Sequence, residues 1–272
     1  MNITQEISVI YVSCDKYSDL WSEYFRLFRR YWPDCPFKVY VLSNRAGPSI
    51  DGVEMLDVGE DVSWSDNLLG ALSRDASRYV FLLPDDFFLT DAVPNAWVVE
   101  KMRWAVERNV SYLRFSGGHP KPVTRCDLEV GLIPRRSLYR TSLRFTLWNK
   151  AVLQKILNKG ESCWDFELAG SVRSDEFEGF YAVYAEPFRF VNCIIKGRWS
   201  PFALNVVRRR GAQLDVSRRR IMSATECVYE VAATVRSRLF FLVIPHQWRR
   251  TVRRAVLRLT AENRPAGSRR LE

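Results

Sequence analysis

Only two histidines, His119 and His246, occur in 272 residues, and none of the six cysteines stands in a CxxC pair. Nitrogen and sulfur donors are therefore too few and too scattered for a zinc site. A chain of this length buries enough apolar surface to fold without disulfides, so Cys14, Cys35, Cys126, Cys163, Cys193 and Cys227 are expected as reduced, mostly buried thiols. No glycine-rich, phosphate-cradling loop follows the first predicted strand, where Ser13-Cys-Asp-Lys stands instead. The longest apolar run of the C-terminal part, residues 239–245, is far short of the roughly 20 residues that cross a bilayer. Met1-Asn-Ile-Thr-Gln-Glu enters a strand with no basic region, signal core or cleavage site, so a cytoplasmic location is expected. There is no internal repeat, and no low-complexity block before residue 205.

What is present is an apolar, aromatic chain with a divided charge. The 47% apolar and 13% aromatic content supplies ample core for one large α/β domain with or without an appendage. The net charge of +10 is confined to one end. Residues 205–272 carry 16 Arg, no Lys and 5 acids, whereas residues 1–204 carry 25 basic residues against 26 acids. This argues against a nucleic-acid-binding body and for an extension that seeks an anionic surface.

The most informative stretch is Tyr79-Val-Phe-Leu-Leu-Pro-Asp85-Asp86-Phe-Phe-Leu89. Its apolar run fits a strand buried on both faces of an α/β sheet, and ligands bind at the C-terminal ends of such strands. Pro84 favours a turn that presents Asp85 and Asp86 to one cleft. Adjacent like charges repel unless a cation is shared, and Mg²⁺ or Mn²⁺ held by one or two carboxylates plus substrate phosphates resolves the conflict. The plainer alternative is a turn-capping Asp86 beside a solvated Asp85.

Around that strand the pattern alternates. Ile7–Val12, residues 37–42 and residues 53–58 read as strands. Leu20, Trp21, Tyr24, Phe25, Leu27, Phe28 and Tyr31 recur at helical spacing up to Trp32-Pro33. Ser63 or Ser65 is an N-cap for a helix carrying Leu68, Leu69, Leu72 and Ala76. Beyond the acids come a helix over 96–108, a strand over 110–115, a Gly/Pro-rich loop over 117–134, an extended segment over 143–148, a short helix over 150–157 and a strand over 188–195. The order predicts a doubly wound, mostly parallel sheet, with a catalytic domain over 1–204, a basic helical extension over 205–263 and a disordered tail over 264–272.

The body thus offers an acidic pair, a second acidic cluster in Trp164-Asp165-Phe166-Glu167, and a cationic turn at Lys196-Gly197-Arg198. Sugar transfer from a nucleotide donor needs these three parts. Cations neutralise the departing diphosphate, and in an inverting reaction a carboxylate takes the acceptor hydroxyl proton. Tyr17-Ser-Asp-Leu-Trp21, Tyr31-Trp-Pro-Asp-Cys-Pro36, Ser63-Trp-Ser-Asp66, Leu82-Leu-Pro-Asp-Asp-Phe-Phe-Leu89, Trp148, Trp164-Asp-Phe-Glu-Leu-Ala-Gly-Ser171 and Lys196-Gly-Arg-Trp199 follow in order over about residues 7 to 200. In these blocks the chain resembles bacterial GT-A type (nucleotide-diphospho-sugar transferase) glycosyltransferases of surface-polysaccharide gene clusters, such as those for capsule and lipopolysaccharide.

The resemblance implies a nucleotide-sugar donor, with a UDP-sugar as first guess, a divalent metal, and a polysaccharide or lipid-linked glycan acceptor. It assigns Asp85 and Asp86 to metal and donor diphosphate; relatives often carry acid, any residue, acid, and here the two are adjacent, so which Asp binds metal stays open. Tyr11, Ser13 and Asp15 stand where base and ribose bind, and Trp64 and Asp66 where a second nucleotide contact is usual. Asp165 or Glu167 matches the catalytic base. Lys196 and Arg198 suit phosphate. Structural alternatives stand beside each: Tyr11 as core, Ser13 and Asp15 as a turn, Trp64 as a packing aromatic beside a helix cap, the 165/167 pair as solvated acids at a helix start, Lys196 and Arg198 as surface charge.

In the extension, Trp248, Val252, Val256 and Leu259 form a helical stripe with Arg249, Arg250, Arg253, Arg254 and Arg258 off it. A basic amphipathic helix with an interfacial Trp reads as an element on the anionic inner membrane face; the other reading is a helix packed on the body with its arginines in solvent. No nucleic-acid-binding motif accompanies the charge. The rivals to a transferase are a nucleotidyltransferase, which needs the missing glycine-rich loop, and a non-catalytic membrane-associated scaffold that binds nucleotide sugar.

Overall fold

The computed structural model describes residues 2–45, 50–126 and 129–262. A short helix, α1 (Ile3–Glu6), leads into β1 (Ile7–Val12), and α2 (Ser18–Tyr31) returns the chain to β2 (Lys38–Ser43). Next come β3 (Glu54–Asp57), α3 (Trp64–Arg74), β4 (Tyr79–Pro84), β5 (Phe87–Leu89) and α4 (Asn95–Glu107). Four short strands follow, β6 (Tyr112–Arg114), β7 (Thr124–Arg125), β8 (Val130–Leu132) and β9 (Thr146–Asn149), and then α5 (Lys150–Ile156). A helical run is built from α6 (Cys163–Asp165), a π-helical turn (Phe166–Gly170), α7 (Ser171–Arg173) and a 3-10 turn (Ser174–Glu176). The chain continues through β10 (Phe180–Val183), β11 (Phe190–Asn192), β12 (Ile194–Ile195) and β13 (Arg198–Trp199) to α8 (Pro201–Arg209), α9 (Ala224–Val243) and α10 (Arg249–Glu262).

The main sheet has nine strands in the order β3-β2-β1-β4-β9-β6-β10-β8-β7. β3, β2, β1 and β4 are mutually parallel. β9 runs against both β4 and β6, so β6 and its parallel neighbour β10 point the same way as β4. The expected doubly wound, mostly parallel architecture is observed. Alternation along the strands explains its two layers: Val9, Tyr11, Phe81 and Leu83 face a core shared with α2 and α4, while Ile10, Val12, Val80 and Leu82 face one shared with α3 and α5.

Local signals place the helices. Trp32-Pro33 ends α2, whose buried face is Leu20, Trp21, Tyr24, Phe25, Leu27 and Phe28. The Ser63 side chain caps α3 by accepting from the Asp66 N–H. One expected element differs. Residues 188–195 form two strands rather than one, because the Asn192 side chain accepts from the Ile194 N–H at 3.1 Å and the Cys193 N–H donates to the Asp86 carbonyl at 2.8 Å. The chain thereby turns from β11, which pairs with β5, into the β12–β13 hairpin.

The boundary expected after residue 204 falls within α8, whose Ala203, Leu204 and Val207 belong to the larger core with Ala212 and Leu214. Farther on, α9 and α10 are fastened to the body by Phe241, which stacks on His119 at 4.2 Å, by His246 Nε2 on Ser137 Oγ at 2.7 Å, and by Arg250 paired with Asp175. The expectation of disorder for 264–272 lies outside the described residues.

Arg114 is wholly buried and donates to the carbonyls of Ser116, Gly118, His119 and Pro120 at 2.6–3.1 Å. It replaces water for a loop that would otherwise bury unpaired carbonyls. Arg114→Met is expected to lower stability by at least about 3 kcal/mol, since a hydrogen bond to a charged group contributes about 1.5–3 kcal/mol; urea denaturation monitored by circular dichroism measures it.

Candidate functional site

The C-terminal ends of β1 and β4 lie side by side, with Val12 in register with Pro84. Above them opens a cavity of about 400 Å³. It is lined by Ser13, Asp85, Asp86 and Asn192, by Tyr17, Trp64, Asn67 and Glu167, and at its exposed rim by Arg144, Trp164 and Lys196.

The turn carrying Asp85 and Asp86 is held from below. Tyr11 Oη donates to the Asp85 carbonyl at 2.9 Å, and Ser13 Oγ donates to the Asp85 carboxyl at 3.2 Å while accepting from Trp21 Nε1 at 2.8 Å. Among the described residues neither carboxylate forms an ion pair. Removal from water pushes the Asp85 carboxyl up to about 7, against the Ser13 hydrogen bond. Removal from water and then the charge of Asp85 push Asp86 well above the ordinary carboxylate range.

Two hard oxygen donors at one turn, neither in an ion pair, suit a Mg²⁺ or Mn²⁺ ion that takes its remaining ligands from phosphate and water. A full protein cage is not offered, because no cluster of three or more His, Cys, Asp or Glu side chains able to hold a metal occurs among the described residues. The donor set therefore fits a cation shared with a bound diphosphate.

Glu167 sits in the π-helical turn, a feature that recurs at functional sites. Its carboxyl accepts from the Leu143 N–H at 2.8 Å and is pushed up chiefly by burial. Asp165 is two residues away on a helix and so turns to another side. It forms a capping box with Ser162, whose Oγ donates to it at 2.7 Å. Of the two acids, Glu167 lines the cavity and Asp165 does not.

The other expected residues divide in the same way. Ser13, Trp64 and Lys196 line the cavity. Tyr11 is core, reaching the site only through its hydroxyl. Asp15 accepts from the Asn44 N–H at 2.9 Å and receives no cavity position. Asp66 accepts from Ser63 Oγ at 2.7 Å and the Gly160 N–H at 2.8 Å, a structural role. Arg198 lies outside the cavity, paired with Glu226 of α9, and Lys196 pairs with Glu230 of the same helix.

Several residues were not anticipated. Arg144 approaches from the segment before β9 and draws on both Asp86 and Glu167. Tyr17 lines the wall, backed by Arg219, whose guanidinium lies 4.6 Å from the ring centroid and pairs with buried Asp19. Asn67 donates to Asp61 at 2.8 Å. Helical spacing after Ser63 puts Trp64 and Asn67 on one face, a signal that was available for Asn67; Arg144 and Arg219 carried none. Cys14 and Cys163 also line the cavity, but burial pushes their thiols up to about 11 and about 12, so neither is a thiolate nucleophile near neutrality.

No family model matches the chain, and no curated protein matches it. Among solved structures, Staphylococcus aureus TarS aligns with TM-score 0.42 and 10% identity over 68% of this chain and 36% of TarS. Bifunctional IspDF from Campylobacter jejuni aligns with TM-score 0.42 and 15% identity over 69% of this chain and 52% of that one. The galactosyltransferase LgtC, solved with donor and acceptor sugar analogues, aligns with TM-score 0.34 and 11% identity over 89% and 99%. The chain therefore spans between about a third and about a half of the length of TarS and IspDF.

An acid whose folded pKa is raised holds its proton more tightly in the folded state, so stability falls as pH climbs from its unfolded value near 4 through about 7. In metal-free buffer, wild type is expected to lose stability on the order of a few kcal/mol across that window relative to Asp86→Asn, since a tenfold change in proton affinity corresponds to about 1.4 kcal/mol. Mn²⁺ at pH 8 should restore wild type and leave the variant unchanged. Parallel pH profiles of Tm for the two proteins would contradict the shared-charge account.

Proposed function

We propose that the chain transfers a sugar from a nucleotide-sugar donor to the hydroxyl of a glycan or lipid-linked glycan, with inversion. The observation that carries this reading is the meeting, in one open cavity at the ends of β1 and β4, of an acidic pair with no ion-pair partner among the described residues, a buried carboxyl at Glu167 and the cations Arg144 and Lys196. A nucleoside diphosphate with a divalent ion is the ligand whose charge matches that set.

In this reading Trp64, Tyr17 and Asn67 bound the nucleotide end, and Asp85 and Asp86 hold the diphosphate through a divalent ion. When bound, that ion supplies positive charge that lowers the cost of diphosphate departure. Glu167 accepts the proton of the acceptor hydroxyl as its oxygen bonds to the anomeric carbon, while the bond from that carbon to the diphosphate oxygen breaks and its electron pair leaves with the diphosphate. Burial raises the basicity of Glu167 and so suits it to take a proton near neutral pH. Arg144 and Lys196 sit where they can offset charge developing on the leaving group. Exposed Trp164 at the rim offers an apolar face on which a sugar can stack. The setting belongs to the same proposal: surface-polysaccharide assembly at the cytoplasmic face of a membrane, with UDP as the first nucleotide to test.

The test combines binding with turnover. Thermal-shift titrations against UDP, dTDP, GDP and CMP, each with and without Mn²⁺, should give a Mn²⁺-dependent rise with one nucleotide, since a ligand at a hundredfold excess over Kd adds about 2.7 kcal/mol. Hydrolysis or transfer of the matching nucleotide sugar should fall about 10²–10⁴-fold in Glu167→Gln with nucleotide binding intact, the range expected for loss of a general base. Asp86→Ala should lose both Mn²⁺-dependent binding and turnover. Binding without any turnover in wild type would favour the scaffold reading; no nucleotide binding at all would overturn the proposal.

A further inference from the structure

The hairpin of α9 and α10 has two faces of opposite character. Its inner face is the one docked through Phe241, His246 and Arg250. On its outer side, Val228, Val231, Val235, Leu239 and Leu242 follow one another at steps of three and four residues, which on a helix makes a single stripe, and all of them are exposed, Leu242 to 81%. Trp248, in the turn that follows, is exposed as well. Apolar stripes of this length are ordinarily covered in a soluble protein.

The charge around the stripe is of one sign. Between Val231 and Ala261 the sequence has seven arginines and no acid. Arg249 donates to the carbonyls of Phe241 and Ile244 and closes the turn, and Arg250 is committed to the body. Arg236, Arg238 and Arg254 form no hydrogen bond or ion pair among the described residues. Beside the stripe, a groove of about 320 Å³ lies between the two helices and the body, lined by Leu138, Tyr139, Phe240 and Phe241 together with Arg236 and Arg253. Arg253 Nε is buried there with no hydrogen-bond partner, which leaves that one donor of the guanidinium without an acceptor.

From this arrangement we infer that the outer face of the α9–α10 hairpin docks on a bilayer containing anionic phospholipid, with a headgroup phosphate received by Arg236 and Arg253 and the stripe seated among the acyl chains. A phosphate supplies the missing acceptor, and a guanidinium presents paired donors that match it. A second copy of this chain is disfavoured as the occupant, because a twofold contact would bring the same arginine-rich face against itself. The hairpin lies on the surface rather than across it: no described helix is long and apolar enough to span a membrane.

Flotation of the full chain with phosphatidylcholine vesicles, with and without phosphatidylglycerol, tests this. Wild type is expected to float with the anionic vesicles alone and to be released by added salt. Because a basic residue near an anionic surface contributes about fivefold in affinity, Arg236→Glu should weaken binding about 25-fold. Leu242→Glu, at an exposed position that leaves the fold and Tm unchanged, should also detach the protein. No flotation, equal flotation on both vesicle types, or displacement by inorganic phosphate at matched ionic strength would each overturn the inference. So would a concentration-dependent dimer abolished by Leu242→Glu. None of these readouts involves the cavity above β1 and β4, so their failure is distinguishable from failure of the proposed transfer reaction.

Discussion

Two carboxyls at consecutive positions, at the end of a strand buried on both faces, are held together with no cation paired to them. That arrangement governs much of what surrounds it. The Asp85 and Asp86 side chains cannot both be charged cheaply in so enclosed a place, which is why both are pushed toward retaining a proton. The cost is tolerated because the backbone beneath is over-determined: Tyr11 donates to the Asp85 carbonyl, the Cys193 N–H donates to the Asp86 carbonyl, and Trp21 orients Ser13. Aromatic packing of Tyr11 against Tyr24 and Phe25 fixes the first of these donors. A stable core thus keeps an unfavourable electrostatic arrangement in place, as is common where carboxyl groups are shifted at functional sites.

The same constraint explains why the C-terminal region is not merely appended. Arg219, well beyond the expected end of the catalytic domain, pairs with buried Asp19 and lies over the Tyr17 ring at the cavity wall. Its positive charge is also felt by Asp85. Lys196 and Arg198, at the turn after β12, are matched by Glu230 and Glu226 on α9. Of the positive charge near the acidic pair, Arg219, Lys196 and Arg198 are thus matched by other carboxylates, while Arg144 acts on Asp86 directly.

How much of this was legible in the sequence depends on what kind of information each feature carried. The β4 run was unambiguous, because a strand buried on both faces is apolar at every position, and the adjacent acids at its end stood out against that background. The division of β1 and β4 side chains between two layers was not legible, because runs that are apolar almost throughout show no alternation. Glu167 and Asp165 were visible as a pair but not separable, because the choice depends on whether the chain is extended or helical there; the capping serine at Ser162 that decides it reads as an ordinary loop residue until the helix is seen. Residues 188–195 looked like one strand because side-chain character is continuous across Asn192, while the break is made by hydrogen bonds to Asn192 and Asp86. Arg144, Arg114 and Arg219 were illegible for a common reason: an arginine that serves buried carbonyls or carboxylates is the same letter as one in solvent, and only tertiary neighbours distinguish them.

The two faces of α9 finally bear on how the cavity and the outer surface are related. Its N-terminal turns carry Glu226 and Glu230 to the turn at the cavity rim, while the rest of its length presents the apolar stripe outward. A helix is stiff over 20 residues, and at about 1.5 Å per residue this one extends about 30 Å. Any surface on which the stripe rests is thereby held at a fixed distance and angle from Lys196. A chain acting on an acceptor embedded in that surface would gain by such an arrangement, because the acceptor hydroxyl would be confined to one plane at a set distance from the cavity rim. Proximity of that kind lowers the entropic cost of bringing two substrates together without requiring any additional contact inside the cavity.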